Sequence, residues 1–191
     1  IRKCRQPRQI MLPAVKILLL IWHCKSLLLS RKKRESIISF LEYSNENELP
    51  AIEKALVGEA VMAASGAYAP YSHFMVGAAL LLDSGEIVRG ANVENAAYPS
   101  GSCAEKTALS FAVVNFRGKK VVSIAIAALA NGSLTEEPVP PCGNCRQMLI
   151  EEEQRSGGPI KIILAGKSAI YVLENSQALM PLSFTGRNLG K

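Results

Sequence analysis

Apolar positions along this chain follow two periodicities that take turns. From Leu49-Pro50 onward, Ile52, Ala55, Leu56, Ala60 and Ala63 recur at spacings of three and four, the stripe of an amphipathic helix packed on a sheet, with Gly66 as its stop. Residues 37–43 (Ile37, Ile38, Phe40, Leu41, Tyr43) read as a strand before it. After a loop holding Tyr68, Pro70 and Tyr71 comes the strand Phe74–Leu82, then Asp83-Ser84-Gly85 as a hairpin turn, then residues 86–91 as the returning strand. A loop rich in Asn, Tyr, Pro and Gly (92–101) leads to a second helix from Ser102 to about Phe116, with Ser102 placed to cap it. Val121–Ala130, interrupted only by Ser123, is the almost unbroken apolar run of a strand buried on both faces. A loop with Pro138, Pro140 and Pro141 precedes a third helix over residues 143–155, which Gly157-Gly158-Pro159 stops. Residues 160–164 and Ile170–Leu173 are further strands, and a helical turn near Gln177 leads to the tail. Strands alternating with helices after a leading hairpin predict an α/β layer sandwich with a mixed sheet.

Composition agrees with one folded core and changes the picture in one respect. The 191 residues are 49% hydrophobic and 20% charged, which excludes a disordered tail or a collagen-like repeat. The net charge of +6 invites a nucleic-acid partner until it is located. Residues 1–34 hold ten Lys or Arg and no acid, whereas residues 35–191 hold 12 basic against 16 acidic residues. A +10 leader therefore precedes a −4 body, and the overall charge does not argue for nucleic acid. The leader's one unbroken apolar run, Ile17 to Trp22, is far shorter than the ~20 residues a bilayer needs. It lacks a small-x-small cleavage site, and its lack of acid and wealth of Arg would suit an organellar presequence. We read 1–34 as a segment outside the fold, such as a translated upstream region with Met11 or a later residue as the start, and 35–191 as the catalytic body.

Chemistry enters with the body's three cysteines, Cys103, Cys142 and Cys145. An odd count argues against a secreted disulfide framework, so a cytoplasmic protein is expected. Alone, Cys142-Gly143-Asn144-Cys145 is either a redox pair or half of a zinc ribbon. A ribbon lacks its second pair, and a redox pair has no use for Cys103. Three thiolates without an obvious fourth ligand match a catalytic zinc, which keeps one position open. Cys103 and the Cys142/Cys145 pair both fall at predicted helix starts, where backbone N–H groups favour thiolate. Glu105 follows Cys103 by two residues, near the metal without being needed as a ligand. Cys103-Ala104-Glu105 followed by Pro141-Cys142-Gly143-Asn144-Cys145 is the pattern of zinc nucleobase deaminases.

On these residues the chain resembles the cytidine deaminases, of the small homotetrameric kind with an all-cysteine zinc site. Ala69-Pro70-Tyr71-Ser72-His73-Phe74, with Val76-Gly77-Ala78-Ala79, is similar to the family's base-pocket strand. Asn92-Val93-Glu94-Asn95-Ala96 is similar to its ribose-binding segment, Cys142 to Gln147 to its second zinc motif, and Met180 to Phe184 to its C-terminal turn. The resemblance implies a three-layer α/β/α sandwich with about five strands and one Zn²⁺ per subunit on Cys103, Cys142 and Cys145. It implies Glu105 as the proton-transfer residue in hydrolytic deamination of cytidine and deoxycytidine, within pyrimidine salvage. It also implies Phe74 against the base, Asn92 and Glu94 on the sugar hydroxyls, the Ala104 amide on the base, and Phe184 in a neighbouring subunit's pocket. A small-molecule nucleoside is the expected partner, with no nucleic acid and no membrane.

Two departures bear on that expectation. The family usually has Arg after the glutamate, where it helps neutralise the zinc thiolates; here Lys106 keeps the charge and loses the bidentate fork, leaving Arg146 and the helix ends to compensate. His73 would permit a closed Cys3His structural zinc. Two competing readings remain: a deaminase of a related nucleoside or nucleotide, and a non-catalytic zinc-stabilised module.

Overall fold

The computed structural model describes residues 32–190. The leader expected over 1–34 lies almost wholly outside them. The chain divides between Ile37 and Ile38; of the first part, residues 32–37 carry no regular secondary structure, and Lys33 pairs with Glu35. Among the described residues no helix is long and apolar enough to cross a membrane.

From residue 38 onward the chain forms one mixed sheet between helices. Its strands are β1 (Leu41–Tyr43), β2 (Phe74–Leu82), β3 (Ile87–Ala91), β4 (Val121–Ala130), β5 (Ser133–Leu134), β6 (Lys161–Ala165) and β7 (Ile170–Leu173). They run in the order β1-β7-β6-β4-β2-β3, with β5 paired to β4. Only the β4–β6 pair is parallel. The sheet has seven strands rather than about five because a three-residue and a two-residue strand join the five longer ones.

Helix α1 (Ala51–Ser65) covers one face, and α2 (Ala104–Asn115) and α3 (Gly143–Ser156) cover the other. Alternation along the strands sorts the core into two layers. Leu80, Leu82, Ile124, Ile126, Ile162 and Leu164 meet Ala108, Leu109 and Leu149 of α2 and α3. Ala79, Ala125, Ala127 and Ile163 on the opposite face meet Leu56, Val57 and Ala60 of α1. The α/β layer sandwich expected from the pattern is therefore present, with the three layers that the resemblance implied.

Two glycines let the helices approach this closely. A Cβ on Gly77 would stand 2.1 Å from the Ala60 carbonyl in α1, and one on Gly90 would stand 2.4 Å from the Ala104 carbonyl in α2. Gly90 thus sets how near the first turn of α2 lies to the sheet.

Two local expectations are corrected. The first strand is only Leu41–Tyr43, because β7 offers partners to those three residues, and Ile37 and Phe40 stay exposed. Ser102 does not cap α2. It exchanges two backbone hydrogen bonds of 2.9 Å with Val93, and Cys103 becomes the N-cap.

Candidate active site

The starts of α2 and α3 lie side by side on one face of the sheet and bring three sulfurs together. Cys103 is the N-cap of α2, Cys142 that of α3, and Cys145 sits one turn into α3. Their Sγ atoms all lie within 4.8 Å of one another, with 3.7 Å between Cys103 and Cys142. Four ligands at the Zn–S distance of 2.3 Å, set tetrahedrally, would stand about 3.8 Å apart. Three sulfur donors at that spacing fit a zinc ion, and among the described residues no fourth His, Cys, Asp or Glu joins them. His73 instead lines a different cavity, beside Tyr68 and Asn131, so the Cys3His reading has no geometry behind it.

Electrostatics around the sulfurs depends on the helix ends. Burial pushes the Cys103 thiol up, and Cys142 beside it adds to the effect. Cys145, wholly buried, is raised furthest, by burial first and then by the negative charge of Glu105 and Cys103. Cys142 differs: burial opposes its ionisation, but the backbone N–H groups of Cys145 and Asn144 and the neighbouring thiols together hold it below the usual range. Negative charge on Cys142 works against ionisation of Cys103 and Cys145, and a divalent cation among the three would reverse that balance.

Glu105 lies in the first turn of α2, 4% exposed, and burial lifts its carboxyl above the usual range. It lines a cavity of about 380 Å³ with Cys103 and Cys142. Phe74, Asn92, Glu94 and Ala104 line the same cavity. Four of the five residues expected to bind substrate are therefore gathered beside the sulfurs by β2, the loop after β3 and the start of α2.

Two of these side chains are also structural ties. Asn92 accepts from the Val76 N–H at 2.7 Å and donates to the Phe74 carbonyl at 3.0 Å, which leaves half of its hydrogen-bonding capacity free. Glu94 accepts from the N–H of Tyr71 at 2.8 Å, the N–H of Ser72 at 3.2 Å and the Ser72 hydroxyl. The Ser72 hydroxyl first, and then the Tyr71 amide, hold its carboxyl below the usual range.

The remaining expected residues lie outside this cavity's lining. Phe184 is 57% exposed, with its carbonyl accepting from Gln147 at 2.8 Å. Lys106 is partly buried and has no ion-pair partner among the described residues. Arg146 donates to the Pro141 carbonyl at 2.8 Å and the Leu179 carbonyl at 2.9 Å, fixing the chain that enters Cys142. The pattern reading missed Val139, Pro140 and Tyr98 on the cavity wall, and the part played by Ser72. Val139-Pro140 adjoins the second cysteine motif, and that adjacency was the available signal.

Comparison with known proteins follows the same residues. Residues 51–156 match the cytidine and deoxycytidylate deaminase zinc-binding region. The chain is 52% identical to the cytidine deaminase of Halalkalibacterium halodurans over 96 residues, which are 50% of this chain and 68% of that protein. It is 45% identical over 96 residues to the cytidine deaminase of Mycobacterium tuberculosis, with the same shares. The crystal structure of the Burkholderia pseudomallei cytidine deaminase aligns with a TM-score of 0.59 at 35% identity, covering 68% of this chain and 97% of that one. The matched segment contains both helix starts that converge on the sulfurs, and the chain belongs to the cytidine and deoxycytidylate deaminase family.

Proposed function

We propose that this chain is a zinc-dependent hydrolase that converts cytidine and deoxycytidine to uridine and deoxyuridine with release of ammonia, within pyrimidine salvage. The observation that carries the reading is the buried Glu105 carboxylate sharing one cavity with the Cys103 and Cys142 sulfurs. Cys103, Cys142 and Cys145 would hold the zinc, which when bound supplies Lewis-acid activation of water near neutral pH.

The protein's own groups do the rest. Phe74 provides the apolar wall for the pyrimidine, the Ala104 amide contacts it, and Asn92 and Glu94 take the sugar hydroxyls. Glu105 accepts the proton of the attacking water and passes it to N3, which makes C4 electrophilic. Once the water oxygen has bonded to C4, Glu105 takes that oxygen's remaining proton and delivers it to the departing amino nitrogen as the C4–N bond breaks, leaving the C4 carbonyl and ammonia. Its raised pKa suits a group that must both take and return a proton. Zinc with three thiolates carries a net −1, and Lys106, Arg146 and the two helix ends would offset it.

A free nucleoside fits better than a nucleotide or a polynucleotide. Arg89, the only cationic residue between Ala67 and Glu105, is paired with Glu59 and not free for phosphate. The exposed ring of Phe184 and the exposed apolar side chains Phe111, Val113 and Val114 on α2 support assembly with further copies, a homotetramer in this reading. Residues 35–191 would act in the cytoplasm without residues 1–34.

Zinc-replete protein incubated with cytidine should show the ultraviolet change of conversion to uridine, with equimolar ammonia. Glu105→Ala should keep zinc and fold and lose turnover. No conversion by the zinc-replete protein would overturn the reading, as would near wild-type turnover in Glu105→Ala.

A further inference from the structure

Ser72 lies in the turn that leads into β2, and its hydroxyl makes two contacts of opposite sense. It accepts a hydrogen bond from the Phe74 N–H at 3.0 Å and donates its proton to Oε1 of Glu94. A hydroxyl has one proton, so the bond accepted from Phe74 turns that proton toward Glu94. The other carboxylate oxygen, Oε2, is held by the backbone N–H groups of Tyr71 and Ser72. Oε1 has only Ser72 as a partner among the described residues and so keeps acceptor capacity, and Glu94 lines the cavity.

The surrounding backbone is committed to this arrangement. His73, between the two bonded residues, has a φ of 54°, a left-handed conformation unusual for a residue other than glycine. Its N–H donates to the Ala69 carbonyl at 3.0 Å, closing the turn. Phe74 is held independently, since it pairs with Ala130 in the β2–β4 ladder. Losing the Ser72 hydroxyl would therefore free Glu94 more than it would move Phe74.

We infer that Ser72 is a positioning residue that acts through Glu94: its hydroxyl fixes the rotation of the carboxylate so that Oε1 meets the sugar hydroxyls of the nucleoside. This rests on the sugar-binding role proposed above for Glu94. Ser72 itself touches no reacting atom.

The test is steady-state kinetics on the zinc-loaded full chain. A hydrogen bond to a charged group, lost outright from a complex, corresponds to roughly a 10- to 150-fold change in affinity. The Ser72 bond lies within the protein and only orients the carboxylate, so a smaller change of roughly 5- to 20-fold is expected. Ser72→Ala should raise the KM for cytidine by that factor while kcat stays within about twofold, and Ser72→Thr, which keeps the hydroxyl, should restore KM. The inhibition constant of 2′,3′-dideoxycytidine, which offers no sugar hydroxyl at those positions, should be the same in wild type and Ser72→Ala. In a Glu94→Gln background, Ser72→Ala should add little further loss. An unchanged KM in Ser72→Ala would overturn the proposal, as would an equal loss for the dideoxy compound or full additivity with Glu94→Gln. If Ser72→Ala is recovered poorly, the comparison of Ser72→Thr with wild type still decides: a KM raised as far as in Glu94→Gln contradicts a role for the hydroxyl. A wild-type protein that does not turn over cytidine removes the functional reading itself, which separates that failure from failure of the Ser72 role.

Discussion

Gly90→Ala probes the placement of α2 from the sheet, at a position that does not itself line the cavity. The new Cβ would stand 2.4 Å from the Ala104 carbonyl oxygen, 2.5 Å from the Ala108 nitrogen and 2.8 Å from the Ala108 Cβ. Two of these are backbone atoms, so no side-chain rotation relieves them. Reaching ordinary contact at 3.4 Å requires a separation of about 1 Å between β3 and α2. β3 is paired with β2 from Gly77↔Ala91 to Leu81↔Ile87, so most of that movement falls on the helix. Overpacking of this kind costs about 1–3 kcal/mol, or roughly 3–10 °C in Tm for a domain of this size. The first turn of α2 carries Cys103 and Glu105, and a displacement of about 1 Å at a catalytic group can lower turnover on the order of 100-fold. Gly77→Ala is the matched control, because its Cβ clashes as severely with α1, a helix that brings no residue to the cavity. Thermal unfolding, zinc content and kcat per folded molecule should show both variants destabilised but only Gly90→Ala with a large loss of kcat. Equal kcat in the two variants, or a Gly90→Ala protein with wild-type Tm, would refute the argument that this glycine sets the position of α2.

Gly58 in α1 has open space around its missing Cβ, so Gly58→Ala should stabilise the protein by about 0.5–1 kcal/mol in chemical denaturation through helix propensity alone. Cys142→Ala should lose stoichiometric zinc by atomic absorption, and undiminished zinc would reassign the ligand set. Burial raises Glu105, and only its ionised form can accept the proton, so kcat/KM should fall as pH drops through a pKa above the usual carboxylate range. Glu94 is held low by Ser72 and Tyr71 and stays ionised across that limb, so Glu94→Gln should keep the limb in a pH–rate profile. Glu153 accepts from the buried N–H groups of Ile160 at 2.8 Å and Ser176 at 2.7 Å. Glu153→Ala should destabilise by about 2–4 kcal/mol in urea titration, since both donors lose their acceptor.

Most of the sheet was legible in the sequence because its signals are local. The strand bounds Phe74–Leu82, Val121–Ala130 and Ile170–Leu173 match the predicted runs, where largely apolar stretches end at turn residues or charge. What was not legible depends on distant partners. β5 is two residues long and exists only through pairing with Leu129 and Ala130 of β4. Ser102 has the composition of an N-cap, and its bridge to Val93 overrides that local preference. In the site, cysteine spacing carried the metal cluster, since ligand chemistry restricts residue type. The hold of Arg146 on Leu179 crosses 33 residues, and that of Ser72 on Glu94 crosses 22. Neither contact has a periodicity or a motif to announce it.

The two helix starts connect the fold to its chemistry. Cys103 and Cys142 occupy N-cap positions with extended backbone, and neither forms a side-chain cap hydrogen bond. A Ser, Thr or Asp there would be worth about 1 kcal/mol to each helix. At the start of α3 the uncapped first turn directs its N–H groups and their partial positive charge at sulfur, and the amides of Cys145 and Asn144 hold the Cys142 thiol down. A three-thiolate zinc site needs such positive potential, because its net −1 charge weakens the ion as a Lewis acid. Arg146 is committed to two carbonyls, so its contact with this region is through the backbone it fixes rather than through a direct bond to sulfur. In the proposed zinc site, compensation would draw first on the helix ends, whose charge does not depend on a guanidinium fork, and on that proposal a point charge, Lys106, would suffice where a bidentate arginine is usual.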